Sequence, residues 1–508
     1  VSRWGPSVDG SLTTLGIVAA GVVALSVLAL QSGGSAVAPT AAGGFTDTRG
    51  GGTTVTTTTG PNGKTTTVTS GGSKGTAGKA GTAGKPGSFT GNTNAGCNSS
   101  NNGGSTDRGV SATEIKLGAT IVKSGIGATL LGPVSTAMQA VTDEVNAGGG
   151  ICGRRLNLSK QLKDDGWDPD RGYQFIRNLV EGDKVFALAV NPSSEGLKVA
   201  SDNHYLAKTK TPVIGSDGML ISQYTDPYIW PIAASTVSTT HIMAVDACNR
   251  LKAKNFAIVF DSKYRFGREG AFAFNAAVKR CTGKDIPGYF NPDGKGACTD
   301  RFCAITAGQP SYDADNRSFD QACFRIGVAN PCDFVAFLLE PNEAVNFLRP
   351  GLTSHPNAGL AQTLFTRDFA SRCGSICDGW DVWTGYNPPI EEFAALPAVK
   401  QYVATVRKKD PNADVSNQFL EGGYAGMQLV VEALRRVGPN VTRDRIIQVL
   451  DSMNLSSGLS TPLAWAPGNH YANTAMQAFE IQFKGGFNGF RSVGTGWVKD
   501  PYIGQDQG

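Results

Sequence analysis

The chain has 508 residues, 40% of them hydrophobic and 17% charged, which is too long for one hydrophobic core and too apolar for a wholly disordered or collagen-like chain. The net charge is +4, from 46 basic and 42 acidic side chains. Six basic groups (Arg3, Arg49, Lys64, Lys74, Lys79, Lys85) and two acidic ones (Asp9, Asp47) lie in residues 1–106, leaving forty of each sign beyond; that balance argues against a nucleic-acid partner held by phosphate contacts.

Residues 12–30 form a 19-residue stretch without charge, long enough to span a hydrocarbon core as a helix, and Arg3 ahead of it is a weak signal that the rest of the chain lies outside. Ala36-Val37-Ala38 resembles a cleavage site, but Pro39 opposes cutting. The expectation is therefore a signal anchor over residues 1–30, a transmembrane segment, with an extracytoplasmic chain anchored to the membrane or secreted. Residues 31–107 read as a disordered linker: 46 of residues 31–106 are Gly, Ser or Thr, too few large apolar groups to offset chain entropy.

From Val110 strand and helix signals alternate. Residues 114–122 are strand-like, and Leu131, Val134, Met138, Val141 and Val145 recur at helical spacing before Gly148-Gly149-Gly150. A strand over 155–162, a helix opened by Asp168-Pro169, a strand over 185–190, a helix over 194–207 and a strand over 212–215 follow. The grammar then restarts: helix 236–251, strand 256–260, helix 267–279, strand 334–339 and a helix after Asn342. Residues 283–310, rich in Gly, Asp, Pro and Cys, read as an inserted, disulfide-clamped loop. Helices over 392–408 and 418–437 come next, and Thr442 caps another. Two runs of βαβ units imply two α/β lobes with parallel sheets covered by helices.

The ten cysteines are an even count for an oxidising space. Short-range disulfide candidates are Cys298 with Cys303, Cys323 with Cys332, and Cys373 with Cys377. The four histidines, His204, His241, His355 and His470, are isolated, so no metal site is expected. No nucleophile elbow, zinc-protease helix or phosphate loop is present in the sequence, so no enzyme and no cofactor are expected.

Several segments in order carry a resemblance. They are Val110-Ser-Ala-Thr-Glu-Ile-Lys-Leu-Gly118, Asp143-Glu-Val-Asn-Ala-Gly-Gly-Gly-Ile-Cys-Gly-Arg154, Asp164-Asp-Gly-Trp-Asp-Pro169 and Asn178-Leu-Val-Glu-Gly-Asp-Lys-Val185. Phe260-Asp-Ser-Lys-Tyr-Arg-Phe-Gly267, Tyr424-Ala-Gly-Met427 and Pro462-Leu-Ala-Trp-Ala-Pro-Gly-Asn-His470 follow. Over residues 108–500 the chain resembles a type I periplasmic binding protein of the branched-chain amino-acid (Leu/Ile/Val) class, the solute receptor of an ABC importer. The resemblance implies a two-lobe clamshell with three crossovers over residues 108–508. Lobe one would take residues 108–233 and 366–455, and lobe two residues 234–365 and 456–500. It also implies a small-molecule ligand (an amino acid or similar) and an ABC permease as partner, while membrane attachment through the N-terminal helix is expected from residues 12–30. A membrane-tethered sensing receptor on the same fold, without a transporter, is the alternative.

Ligand contacts implied by the resemblance fall in loops after strands: Ser124 and Gly125; Asn191, Ser193 and Ser194; Ser216, Asp217 and Gly218; Tyr264 and Phe266; Glu340; and Asp368. The family pattern holds a ligand carboxylate at the start of the helix after Ser193. Asp217 departs from the usual small residue there, and would repel a carboxylate but accept from an ammonium or hydroxyl. Plainer roles compete: Ser193 and Ser194 as helix caps, Asp217 as a turn residue, Glu340 as a helix-entry residue, Tyr264 and Phe266 as core. Trp167, Trp230, Trp380 and Trp383 are expected to be packing residues.

Overall fold

The computed structural model describes residues 55–59, 65–69, 97–289 and 298–506. The expected anchor over residues 12–30 lies outside the described residues; among those described, no helix is long and apolar enough to cross a membrane. The chain forms two compact units, residues 1–79 and 80–508. In the first, Val55–Thr59 and Thr65–Thr69 pair antiparallel. Strands are not what the linker composition predicts, but runs of β-branched threonine favour extended backbone when a partner run is near.

In the second unit, lobe one is a parallel sheet of β1 (Glu114–Ile121), β2 (Arg155–Asn157), β3 (Leu162–Asp164), β4 (Ala187–Ala189), β5 (Val213–Ser216) and β6 (Ile229–Pro231). The order is β2-β1-β4-β5-β6, with β3 also on β1. The expected strand over 155–162 is thus two short strands separated by a 3-10 turn at Ser159–Gln161. Helices α1 (Val134–Ala147), α2 (Pro169–Arg177) and α3 (Ser194–Asp202) cover the sheet. Asp168 caps α2 by accepting from Arg171 N at 2.8 Å, with Pro169 in the first turn. The expected helix over 194–207 breaks at His204, whose φ is +52°, and resumes as Tyr205–Thr209.

Lobe two begins with α4 (Thr236–Asn249), β7 (Phe256–Asp261) and α5 (Arg265–Thr282). It continues through β8 (Phe302–Ile305), α6 (Asp313–Cys323), β9 (Phe334–Leu338), α7 (Pro341–Leu348), β10 (Asn357–Leu360), α8 (Arg367–Cys373) and β11 (Asp381–Thr384). The segment expected to be only a clamped loop therefore contributes β8, an edge strand parallel to β7. Phe302 and Ile305 are buried, which is why those four residues join the sheet despite their Cys- and Gly-rich surroundings.

The chain returns to lobe one as α9 (Pro397–Lys409), α10 (Gln418–Val437) and α11 (Arg443–Leu450). It finishes in lobe two as β12 (Ala475–Phe483), β13 (Phe487–Ser492) and β14 (Val498–Lys499), with β12 antiparallel to β11. The second crossover is thus later than expected. Residues 366–384 belong to lobe two, because Phe369, Trp380 and Val382 pack into that lobe's core and β11 pairs with β10. Asn473, on the third crossover, donates its side-chain amide to Ile232 O (3.4 Å) on the first and to Gly385 O (3.2 Å) on the second. One side chain therefore ties all three connections together.

The domain also starts earlier than residue 108. Cys97 is bonded to Cys152, and Thr106 donates to Val441 O at 2.5 Å. The other bridges are Cys248–Cys281, Cys298–Cys303, Cys323–Cys332 and Cys373–Cys377.

Helix α10 approaches β5 at backbone distance. Gly215 has φ +78°, a conformation that favours glycine, and a Cβ on Gly426 would stand 2.5 Å from Gly215 O. We expect Gly426→Ala to destabilise the domain by about 1–3 kcal/mol. Chemical denaturation should show a lower midpoint at an unchanged slope; an unaltered midpoint would mean that α10 can shift away freely.

Candidate functional site

The loops after the parallel strands of both lobes face one another, the usual place for a ligand in open α/β sheets. In lobe one their geometry is set by a buried carboxylate. Asp165 Oδ1 accepts from Ser193 Oγ (2.9 Å) and from Trp167 N (2.9 Å), and Trp167 Nε1 donates to Ser194 Oγ (3.1 Å). Asn191, at φ +47°, accepts from Thr120 N (2.8 Å) and donates to Ser193 O (3.3 Å), which pins the loop after β4 to β1. The serines thus hold the loop after β3. Ser193 sits at the N-cap of α3 without a side-chain capping bond.

Held at its amide and its indole nitrogen, Trp167 presents its ring to lobe two. It stacks on Tyr264 with centroids 4.3 Å apart and lies 5.7 Å from Phe266. Tyr264, Phe266 and Trp167 share one core cluster with lobe-one residues, so the expected packing role of Trp167 is packing between lobes. Polar bridges surround the stack. Glu195 accepts from Arg265 N (2.9 Å) and Nε (3.3 Å), Ile221 N donates to Glu269 Oε2 (2.9 Å), and Asn342 Nδ2 donates to Thr129 Oγ1 (3.3 Å).

The facing surfaces are acidic. Burial pushes Asp217 up to about 7, against hydrogen bonds from Gln223 and Met219 N and helped by the charge of Glu195. Burial likewise takes Glu340 and Glu269 up to about 7 and Asp165 up to about 6. Asp261 and Glu343 are both raised, first by burial, and the charge of Asp261 lifts Glu343 further. The Tyr264 hydroxyl is raised by burial and then by Asp261, Glu343, Glu195 and Glu340, so four carboxyls surround that ring closely enough for their charge to be felt.

The other expected residues divide. Asp217 and Gly218 are buried at the end of β5, where Asp217 Oδ1 accepts from Gln223 Nε2 (2.7 Å) and Gly218 N donates to Gln223 Oε1 (2.9 Å). Ser216 is buried beside them with no hydrogen-bond partner for its hydroxyl. Glu340 is buried and caps α7, accepting from Glu343 N at 2.6 Å, so the helix-entry role holds and leaves its second oxygen to Asn342 (3.3 Å). Ser124 and Gly125 lie exposed on the rim, with Ser124 N donating to Asp164 Oδ1 (3.3 Å).

Asp368 does not join the group. It is exposed in the first turn of α8 and paired with Arg372 at 3.0 Å, an ordinary i,i+4 ion pair, because its segment belongs to lobe two and turns outward there. Asp165, Glu195, Asp261 and Glu343 are site residues the sequence reading passed over. Asp165 and Asp261 lie inside two of the recognised segments, whereas Glu195 and Glu343 stand in ordinary first-turn positions with no distinguishing pattern. Among the described residues no group of three His, Cys, Asp or Glu is arranged to hold a metal ion.

These features define a two-lobe solute-binding protein. Residues 114–486 match the model of the periplasmic binding protein family, and the chain belongs to that family, one of binding proteins rather than enzymes. None of the curated proteins matches the chain. Among solved structures, it is similar to a possible leucine/isoleucine/valine-binding protein from Rhodopirellula baltica SH 1 (19% identity, 75% of this chain and 96% of that one, TM-score 0.60). It is also similar to a fatty acid ABC transporter substrate-binding protein from Thermomonospora curvata (18%, 79% and 95%, TM-score 0.60). A third is an ABC-transporter solute-binding protein from Rhodopseudomonas palustris BisB5 in complex with 3,4-dihydroxybenzoic acid (18%, 76% and 99%, TM-score 0.61). At such identities the likeness is one of fold.

The raised carboxyls have a consequence for stability. Each takes up its proton nearer neutrality when folded than in the unfolded chain, where the ordinary value is near 4. Their contribution is complete at low pH and is lost as pH rises through about 6 to 7. We expect the melting temperature of the ligand-free protein to fall between pH 5 and pH 8, each buried carboxyl contributing on the order of 2 kcal/mol. Asp217→Asn should make the fall shallower; a melting temperature that climbs over this range would contradict the assignment.

Proposed function

We propose that this chain is the extracytoplasmic substrate-binding protein of an ABC importer, capturing a small polar solute, an amino acid or related metabolite, as its lobes hinge together. The observation that carries the reading is the facing pair of loop sets after the parallel strands, bridged by Trp167 on Tyr264 and by Glu195 with Arg265. The family membership and the similar structures support it. Because those structures name a fatty acid, an aromatic acid and branched-chain amino acids, the fold is compatible with several solute classes, and the selecting groups are this chain's own: Ser216, Asp217, Gly218, Tyr264, Phe266 and Glu340. An ABC permease is the partner, and the apolar segment at residues 12–30 serves as the membrane anchor.

A thermal-shift screen of amino acids, amides, sugars and aromatic acids tests the reading. A solute at 100 times its dissociation constant adds about 2.7 kcal/mol of stability. Trp167→Ala, which removes the ring bridging the lobes, should weaken the best hit at least tenfold. No stabilising solute across the screen would sink the proposal.

A further inference from the structure

A small cavity lies where β5, α1 and α10 meet the second crossover, lined in part by Val134, Pro192, Asp217, Tyr386, Gln418 and Gly422. It is about the size of one water molecule or one ammonium head. Three of its lining side chains each carry a buried polar atom without a partner: Asp217 Oδ2, Tyr386 Oη and Gln418 Oε1. Those side chains are 7%, 1% and 2% exposed. An unsatisfied buried polar atom is costly to a fold, so three on the side chains lining one void mark a place built for an occupant.

The chemistry of the lining narrows that occupant. All three atoms can accept a hydrogen bond. Glu421, also on α10 but outside the lining, is a buried carboxyl whose Oε1 likewise lacks a partner. The charges of Glu421 and Asp217 are both felt at the Tyr386 hydroxyl. Among the described residues no basic side chain pairs with either carboxyl. A carboxylate placed here would add to the negative charge, and an apolar group would leave every acceptor unpaired. Gly422 leaves the needed room, since a Cβ there would stand 3.0 Å from the Tyr386 hydroxyl.

We infer that this cavity is the subsite for a primary ammonium group of the solute, whose three N–H bonds go to Asp217 Oδ2, Tyr386 Oη and Gln418 Oε1. The inference rests on the binding-protein reading and adds to it: the solute is an amine, and the end that enters the root of lobe one is the charged nitrogen. Pro192, on the same lining, precedes Ser193 and Ser194 of the interlobe face, which places the subsite beside that face.

The full chain is titrated by calorimetry and thermal shift with n-butylammonium, putrescine and L-lysine as amines, and with butanoate and 4-hydroxybenzoate as anions. At least one amine is expected to bind and both anions to fail. Asp217→Asn should weaken the amine at least tenfold, and Tyr386→Phe about threefold. Gly422→Ala should weaken it at least tenfold with every charge left in place, which guards against a folding defect in the first variant. Anion binding with all amines silent, or amine binding unchanged in Asp217→Asn, overturns the subsite and leaves the binding-protein reading standing. A crystal structure with the amine in which only water meets Asp217, Tyr386 and Gln418 overturns it too. Silence toward all five compounds also overturns it, whereas only failure of the wider solute screen counts against the parent reading.

Discussion

Trp167 reaches across the gap between lobes because its two nitrogens are both committed within lobe one, the amide to Asp165 and the indole to Ser194. Without those bonds a loop tryptophan would be free to turn outward or to fold onto its own sheet. With them, the ring has one face to offer, and Tyr264 meets it. An aromatic pair of this kind adds about 0.5–1.5 kcal/mol beyond the area it buries, comparable with the Glu195–Arg265 bridge beside it. Contacts of that size favour apposition of the lobes without locking it. A solute whose own contacts exceed them by a few kcal/mol can set the balance.

The same surfaces gather carboxyl groups at a density that ordinary protein interiors avoid. Asp165, Asp217, Glu340 and Glu343 are buried without an ion pair among the described residues; the charge of Arg372 reaches Glu340, and Arg265 nearby is committed to Glu195. The protein meets the cost by keeping protons on these groups close to neutral pH rather than by pairing them. Such an environment differs from that expected of a receptor for simple organic acids, even though similar folds hold them. A fold of this kind imposes no single ligand chemistry by itself, which leaves the loop residues to set it.

Much of the architecture was legible in the sequence because it rests on local periodicity. Val134, Met138, Val141 and Val145 mark one helical face, with Leu131 set apart in a short helix Ala128–Leu131 that ends before Pro133, and Asp168-Pro169 and Thr442 open helices where the structure has them. What escaped depends on partners far along the chain. Residues 302–305 look like loop until β7 supplies their edge, and the late second crossover follows from Trp380 and Val382 finding the lobe-two core. The site shows the same limit. Ser193 and Ser194 have the sequence appearance of caps, yet their hydroxyls bond to residues 27 and 28 positions away. Asp368 looked like a cleft residue because it follows a strand near an expected crossover, whereas it stands exposed in the first turn of α8 and pairs with Arg372.

The five disulfides are distributed unevenly. Cys97–Cys152 lies in lobe one, and the other four lie in lobe two. None joins one lobe to the other, so oxidation armours each half separately and puts no covalent brake on the swing between them. Cys97, where the described part of the domain begins, is fastened to Cys152, so the chain enters the domain sewn to lobe one alone and its counterpart carries no such stitch.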